Sequence, residues 1–345
     1  MNWIEDVFRL RDPLGVLSVY VGVDPHAESH RPPWQIQLDN DVRAIRQHVR
    51  AGRDHAYRVA VEERLTALES ALERLVDPTA PGRGRALFAA VGSGETHMFS
   101  LQEELPTRAV LGELAHVLPL LRADDGRPRV LVLLGRDAVR VLESRAGRVD
   151  ELRAFDVEPV VSDRAEQKRE RHVEADHHRR LAAAASQIER LADARGWELG
   201  VVCGDPRGAE LLADTLDRAG VPVEPVDRDL VDRSPAHALA ELSPALAALA
   251  AERDLALAHA ALDAAAAGGR GAAGLTPVLA ALDASRVDHL VIDGERVGAL
   301  DPGDPELAER VAQHAHDTGA RITAVSGDAA AALAPVNGVA AILRG

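Results

Sequence analysis

Short apolar runs rich in β-branched residues alternate with segments of helical apolar spacing through most of this chain. The runs predicted as strands are Arg129–Leu134, Ala138–Ser144, Arg148–Ala154, Leu199–Cys203, Val221–Val223, Val287–Ile292, Arg321–Val325 and Val339–Leu343. The segments predicted as helices are Asp163–Arg195, Arg207–Ala219, Pro244–Ala267, Leu275–Ala284, Pro305–Thr318 and Asp328–Ala334. Because each sheet needs helices to cover its faces, this alternation predicts an α/β protein.

Breaks in composition predict three domains. Residues 1–123 indicate an α+β domain, in which strand Val16–Val23 precedes a proline-rich loop, two helices at 35–49 and 54–76, and a hairpin of 85–91 with 95–101. The polar, glycine- and proline-containing break at residues 124–128 opens a second domain, 124–242, with a mixed sheet. Residues 243–345 predict a small α/β sandwich.

Composition narrows the possible environments and partners. The 40 basic and 55 acidic residues give a formal charge of −15, which argues against indiscriminate nucleic-acid binding. The single cysteine, Cys203, excludes an intrachain disulfide and a cysteine-rich zinc site; we expect it to be buried and inert. We see no signal peptide and no apolar run long enough to cross a membrane, so we expect a cytoplasmic protein that does not bind membranes.

Two motifs suggest a cofactor or a metal but lack the required context. Residues 269–274 match G-x-G-x-x-G, yet a predicted helix precedes them where a dinucleotide site needs a strand, so we interpret them as a helix–helix turn. Among His172, His177 and His178, with Glu174 and Asp176 nearby, only Glu174 and His178 have the spacing of ligands on one helix face. We therefore predict neither a cofactor nor a metal site.

The segment 164–180 (RAEQKRERHVEADHHRR) is the most distinctive local feature. It holds six Arg or Lys side chains, including the only lysine of the chain, together with three histidines and four acids. Its balance of +2 contrasts with −15 for the whole chain. Such a segment is either a solvated helix face or a local contact with phosphate groups.

The C-terminal sequence introduces a family resemblance. Residues 319–326 (GARITAVS) followed by 337–344 (NGVAAILR) resemble the closing signature of the archaeo-eukaryotic class I release factors and Pelota. Residues 275–292 are similar to the helix and strand that precede this signature, and 201–206 (VVCGDP) resemble a strand and turn of the middle domain. The agreement in element order extends over about residues 125–345. The chain also resembles the bacterial branch that lacks Gly-Gly-Gln, which includes Balon-like ribosome hibernation factors.

This resemblance implies a three-domain, tRNA-shaped monomer that enters the ribosomal A site. The first domain would face the decoding centre, with His26, His30 and Arg31 as contacts. The middle domain would approach the peptidyl-transferase centre, and the third domain would contact the factor-binding side or a translational GTPase such as elongation factor Tu. Release factors carry Gly-Gly-Gln in a middle-domain loop, where this chain has the basic segment within 157–180.

The missing Gly-Gly-Gln favours a non-catalytic role. The residues expected to contact ribosomal RNA are Arg164, Lys168, Arg169, Arg171, His172, His177, His178, Arg179 and Arg180. The expected function is to hold or protect idle ribosomes. Two alternatives remain open at this point: a peptidyl-tRNA hydrolase for ribosome rescue, in which Gln167 positions water, and a Pelota-like adaptor that recruits a GTPase.

Overall fold

The computed structural model describes residues 3–23, 33–52, 55–77, 82–101, 103–123, 126–145, 148–156, 166–294, 304 and 306–345. Within these ranges, the backbone alone is described for residues 3, 4, 52, 166–178 and 180. Internal contacts divide the chain into two compact units: residues 1–126 with 251–345, and residues 127–250. Both ends of the chain therefore belong to one unit, and the division into three domains stays a prediction.

The first segment of the chain forms a four-stranded antiparallel sheet with three helices on one face. Its elements are α1 (Trp3–Arg9), β1 (Arg11–Gly22), α2 (Pro33–Gly52), α3 (His55–Ala67), α4 (Glu69–Val76), β2 (Gly84–Ala90), β3 (Thr96–Leu101), β4 (Arg108–Leu114) and α5 (Leu118–Ala123). The strand order is β3-β2-β1-β4. Side chains alternate along β1, so Leu17 and Val19 pack in the core under α2–α4, whereas Val16 and Tyr20 enter the core on the other face.

Residues 127–250 form the mixed sheet that the sequence predicts. Its elements are β5 (Arg129–Leu134), β6 (Ala138–Arg145), β7 (Arg148–Asp156), α6 (Glu166–Arg195), β8 (Leu199–Cys203), α7 (Pro206–Arg218), β9 (Val223–Val226) and the first half of α8 (Pro235–Ala266). The order is β7-β6-β5-β8-β9, with β5, β8 and β9 parallel and β6 and β7 antiparallel. Helices α6 and α7 share a core on one face, and residues 238–250 of α8 share one on the other.

The last segment is the predicted α/β sandwich. Its elements are β10 (Gly271–Ala273), α9 (Leu275–Asp283), β11 (Val287–Asp293), α10 (Leu307–Asp317), β12 (Arg321–Val325), α11 (Gly327–Leu333), a 3-10 turn (Ala334–Val336) and β13 (Val339–Leu343). The sheet order is β10-β13-β11-β12. Helices α9 and α10 join the core that contains Tyr20 and Val16, while α11 and the second half of α8 cover the opposite face. No helix of the described ranges is long and apolar enough to span a membrane.

Helix α8 begins nine residues before the predicted start at Pro244. A proline in a helix interior removes one backbone hydrogen bond, which is why Pro244 looks like a first-turn residue in the sequence. In the structure Leu239, Leu242 and Leu246 lie on both sides of that position and are all buried in one core. Burial of this continuous apolar face offsets the missing hydrogen bond.

The G-x-G-x-x-G motif does not form the predicted helix–helix turn. Gly271–Ala273 forms the edge strand β10, which pairs with β13, and Gly271 lies against α8. A Cβ atom at Gly271 would approach the backbone nitrogen of Ala265 to 2.3 Å, whereas one at Gly269 meets open space. The motif therefore permits close packing of a strand on a helix.

Gly271→Ala is expected to lower the stability of the unit that contains β10 by about 1–3 kcal/mol, because backbone atoms must move. Gly269→Ala is expected to cost about 1–2 kcal/mol, from its positive φ of 97° alone. Urea unfolding followed by circular dichroism measures both changes. A rise in melting temperature when a nicotinamide dinucleotide is added would contradict a purely structural role for the motif.

Candidate nucleic-acid interface

The C-terminal half of helix α6 is anchored in the core of residues 127–250. Leu181, Ala185, Ile188 and Ala192 recur at intervals of three or four residues, and all four are buried against α7 and the sheet. The helix ends at Gly196, whose φ of 63° suits a C-terminal cap. This end of α6 is therefore held firmly, as the amphipathic spacing predicts.

The N-terminal half of α6 carries the basic segment. The helix extends from Leu181 back to Glu166, which is about 22 Å at ~1.5 Å per residue. Arg179 is exposed to solvent. The helical positions of this half include Lys168, Arg169, Arg171, His172, His177, His178 and Arg180, together with Gln167 at the second position. The predicted contacts Arg164, His26, His30 and Arg31 lie outside the described residues.

Helical spacing separates two of the glutamates in this half of α6 from several basic positions. Positions 170, 174 and 177 lie eleven, seven and four residues before Leu181, so they continue the line of the buried face with two glutamates and a histidine. Positions 168 and 172 lie eleven and seven residues before Arg179, which is itself about 200° around the helix from Leu181. Lys168, His172 and Arg179 therefore share a helix side away from the core face, and Asp176, three residues before Arg179, is the acidic position beside them.

The described residues contain no cluster of His, Cys, Asp and Glu suited to a metal. Cys203, at the end of β8, is fully buried. Burial, and secondarily the carboxylate of Asp229, raises the pKa of the Cys203 thiol to about 11. The thiol is consequently protonated at neutral pH and is a poor nucleophile.

Cys203 is expected to resist thiol reagents in the folded protein. With a pKa of about 11, only about 0.1% of the thiol is ionised at pH 8. Its burial also keeps reagents away from the sulfur atom. A disulfide reagent should label less than a tenth of the protein in an hour, and one equivalent after unfolding in guanidinium. Rapid stoichiometric labelling of the folded chain would contradict this prediction.

A buried polar cluster joins the two segments of the first unit, and the motifs of the sequence do not predict it. The Nδ1 atom of His116 lies 2.5 Å from Oε1 of Glu309, with both side chains about 95% buried. Val117 N–H donates to Oε2 of Glu309 at 2.9 Å, and Tyr20 O–H donates to the His116 carbonyl. Burial, together with the charge of Glu309, raises the pKa of the Tyr20 hydroxyl well above its ordinary value, so it remains a donor.

One sequence signal points to this cluster. Glu309 lies on the apolar face of α10, between Ala308 and Val311 and one turn before Ala312. A carboxylate on a buried helix face requires a partner. The sequence does not identify that partner, because His116 is 193 residues away and precedes the short helix α5.

The mixed sheet and helix α6 lie in the part of the chain that matches a model of the release-factor-like class, the class that the sequence resemblance predicts. More particularly, residues 116–267 match the model of Bacterial archaeo-eukaryotic release factor family 10. This match contains the whole of the compact unit 127–250. The match supports the predicted resemblance for residues 116–267. No protein of curated function shows a significant sequence match.

Several of the similar solved structures are of translation proteins. An archaeal translation termination factor, aRF1, is 19% identical, with 99% of this chain and 96% of that chain covered and a TM-score of 0.27. Pelota of Archaeoglobus fulgidus is 18% identical over 75% and 79% of the two chains, with a TM-score of 0.38. Archaeal Pelota in a model of its ribosome-bound state with ABCE1 is 13% identical over 99% and 94%, with a TM-score of 0.45. At these scores the superpositions carry no functional inference for this chain.

Proposed function

We propose that this protein is a non-catalytic factor that occupies the A site of idle bacterial ribosomes and protects them. The observation that carries the proposal is the long helix α6, whose N-terminal half bears basic residues where release factors carry Gly-Gly-Gln. The family match over residues 116–267 supports action on the translation machinery. Like a release factor, the chain would act in the cytoplasm.

Local charge supports RNA as the partner of α6. Phosphate groups attract arginine and lysine side chains on a common helix side, and binding releases counterions. The acidic total of −15 opposes unspecific binding elsewhere on the chain. One local basic segment on an acidic protein therefore suits a single shaped contact with ribosomal RNA near the peptidyl-transferase region.

The same residues weigh against hydrolysis. Catalytic Gly-Gly-Gln uses glycines that allow unusual backbone conformations, whereas Gln167 lies inside helix α6 and has no flanking glycine. Gln167 thus lacks the backbone freedom that would let it position water. A peptidyl-tRNA hydrolase and a Pelota-like adaptor for a GTPase are the alternatives that the experiment separates.

The remaining contacts are proposed by analogy with the superfamily. Residues 1–123 would face the decoding centre through His26, His30 and Arg31, and residues 243–345 would lie near elongation factor Tu or another translational GTPase. The protein would enter the ribosome as a monomer. Each of these contacts predicts a local footprint on ribosomal RNA or a dependence on the GTPase.

Co-sedimentation with vacant bacterial ribosomes tests the proposal. We expect the protein to pellet with ribosomes, more completely when elongation factor Tu is present, and to dissociate as salt rises. No co-sedimentation at low or moderate salt, with or without the GTPase, would overturn ribosome binding. Release of peptide from ribosome-bound peptidyl-tRNA, abolished in Gln167→Ala, would instead establish hydrolysis. Ribosome splitting that requires a GTPase would establish the adaptor.

A further inference from the structure

Strand β4 is an edge of its sheet, and two carboxylates occupy part of that edge. In an antiparallel pair the backbone N–H groups of every second residue point away from the partner strand, and on β4 these are residues 109, 111 and 113, since the N–H groups of 109 and 113 donate to side chains outside the sheet. Ala109 N–H donates to Oδ2 of Asp41 at 2.9 Å, and Glu113 N–H donates to Oε2 of Glu306 at 3.1 Å. Each carboxylate thus takes the place of a carbonyl from a neighbouring strand.

The middle of this edge faces a cleft. Between the two carboxylates, over about 14 Å of strand, Leu111 directs its N–H and C=O into a cleft of ≈ 460 Å³. Its apolar lining includes Leu14, Ile45 and Val49 beside Leu111. An edge strand with unpaired backbone groups is a template for another extended segment.

The charge of the cleft indicates which kind of segment binds there. Three carboxylates line it, those of Asp41, Glu113 and Glu306, against the guanidinium of Arg108 and the imidazole of His48. Glu113 is exposed, and the other two carboxylates are half-buried. This excess of negative charge over an apolar floor attracts a segment that carries basic side chains between apolar ones.

We propose that this cleft binds a short, basic, extended peptide segment of a partner protein, which pairs with the edge of β4 at Leu111. About three residues of extended chain fit between Asp41 and Glu306. Strand pairing supplies the backbone hydrogen bonds, the apolar floor takes alternate side chains, and the carboxylates hold the basic ones. The site involves only the unit of residues 1–126 and 251–345, so it is independent of RNA binding by α6.

The test uses the full-length protein and three capped pentapeptides in calorimetry. The first is Ac-Val-Arg-Val-Arg-Val-amide, the second replaces both arginines with glutamate, and the third keeps the arginines but carries an N-methyl group on the central valine. We expect the first to bind and to slow hydrogen exchange of the Leu111 amide. The acidic peptide should not bind, and N-methylation should weaken binding about tenfold because it removes one backbone hydrogen bond.

Matched variants locate the site. Ala44→Trp, at an exposed helix position that lines the cleft, should abolish peptide binding, whereas Ala67→Trp, exposed on α3 and outside the cleft, should leave it unchanged. Glu113→Lys should weaken binding about fivefold at low salt, as expected for an exposed charge, and Glu63→Lys should not.

Three results would overturn the inference. One is no detectable binding of the basic peptide. Another is equal binding of the N-methylated peptide, which would show that strand pairing does not contribute to the affinity. The third is equally tight binding by arginine amide alone, which would indicate a site for a small cation.

Discussion

Replacing Glu309 with alanine is expected to lower the free energy of unfolding of the unit 1–126 and 251–345 by about 3–5 kcal/mol. The carboxylate accepts from the N–H groups of Val117 and Leu118 and contacts Nδ1 of His116, all in the buried core. Removing it leaves these donors unsatisfied and a histidine without its partner in a low dielectric. No compensating water enters easily, because the surrounding residues are apolar.

Hydrogen exchange measured by mass spectrometry in increasing urea separates the two units. The destabilisation should appear in peptides from β1, α5 and α10, while β5 and β8 keep their protection. Glu309→Gln, which retains an acceptor of similar size, should destabilise less than Glu309→Ala. Glu5→Ala removes an exposed pair with Arg9 and should change stability by less than about 1 kcal/mol. Equal, small effects of Glu309→Ala and Glu5→Ala would show that the buried cluster does not hold the two segments together.

Reversing Lys168, Arg171 and Arg179 to glutamate is expected to weaken ribosome binding on the order of a hundredfold at physiological salt. Each charged hydrogen bond to phosphate contributes about 1 kcal/mol or more, and three such bonds amount to about 3 kcal/mol. The dependence of affinity on salt should become shallower by about one unit for each phosphate that is no longer neutralised. Co-sedimentation across a salt series measures both quantities.

A control with the same change in charge separates local contact from overall electrostatics. Arg148, Arg190 and Arg207 are exposed on β7, α6 and α7 of the same unit, outside the basic half of α6. Their reversal to glutamate should change binding less than about threefold, through long-range charge alone. Equal weakening by the two triple variants would mean that net charge, and not the basic half of α6, determines binding.

Much of the fold is predictable because local signals and tertiary environment agree. The bounds of β5, β8, β12 and β13 match the predicted runs. Strands β5, β8 and β13 are inner strands of their sheets, where buried apolar residues have few alternatives to a strand, whereas β12 is an edge strand. The order of strands and helices in 127–250 likewise predicts a mixed sheet. By contrast, β4 and α5 carry weak local signals: β4 contains Gly112 and Glu113, and α5 has six residues. Pairing with β1 and burial of Leu118 and Leu120 stabilise them instead.

The two candidate sites, the basic segment and the cleft beside β4, likewise differ in how far the sequence predicts them. The basic segment is visible in the sequence because its charges are adjacent in the chain, and helical spacing alone places Glu170 and Glu174 away from Lys168, His172 and Arg179. The cleft beside β4 is not visible, since Asp41, Leu111 and Glu306 are brought together only by folding.

The sequence by itself determined the resemblance to release factors, the alternating elements of residues 127–345 and the basic half of α6, because each depends on residues close together in the chain. Only the tertiary structure decided that the two ends of the chain share one core, that His116 meets Glu309, and that the edge of β4 opens into an acidic cleft. These features depend on contacts between residues up to about three hundred positions apart, such as Arg11 and Asp317, whose pairing follows from packing and not from local preference.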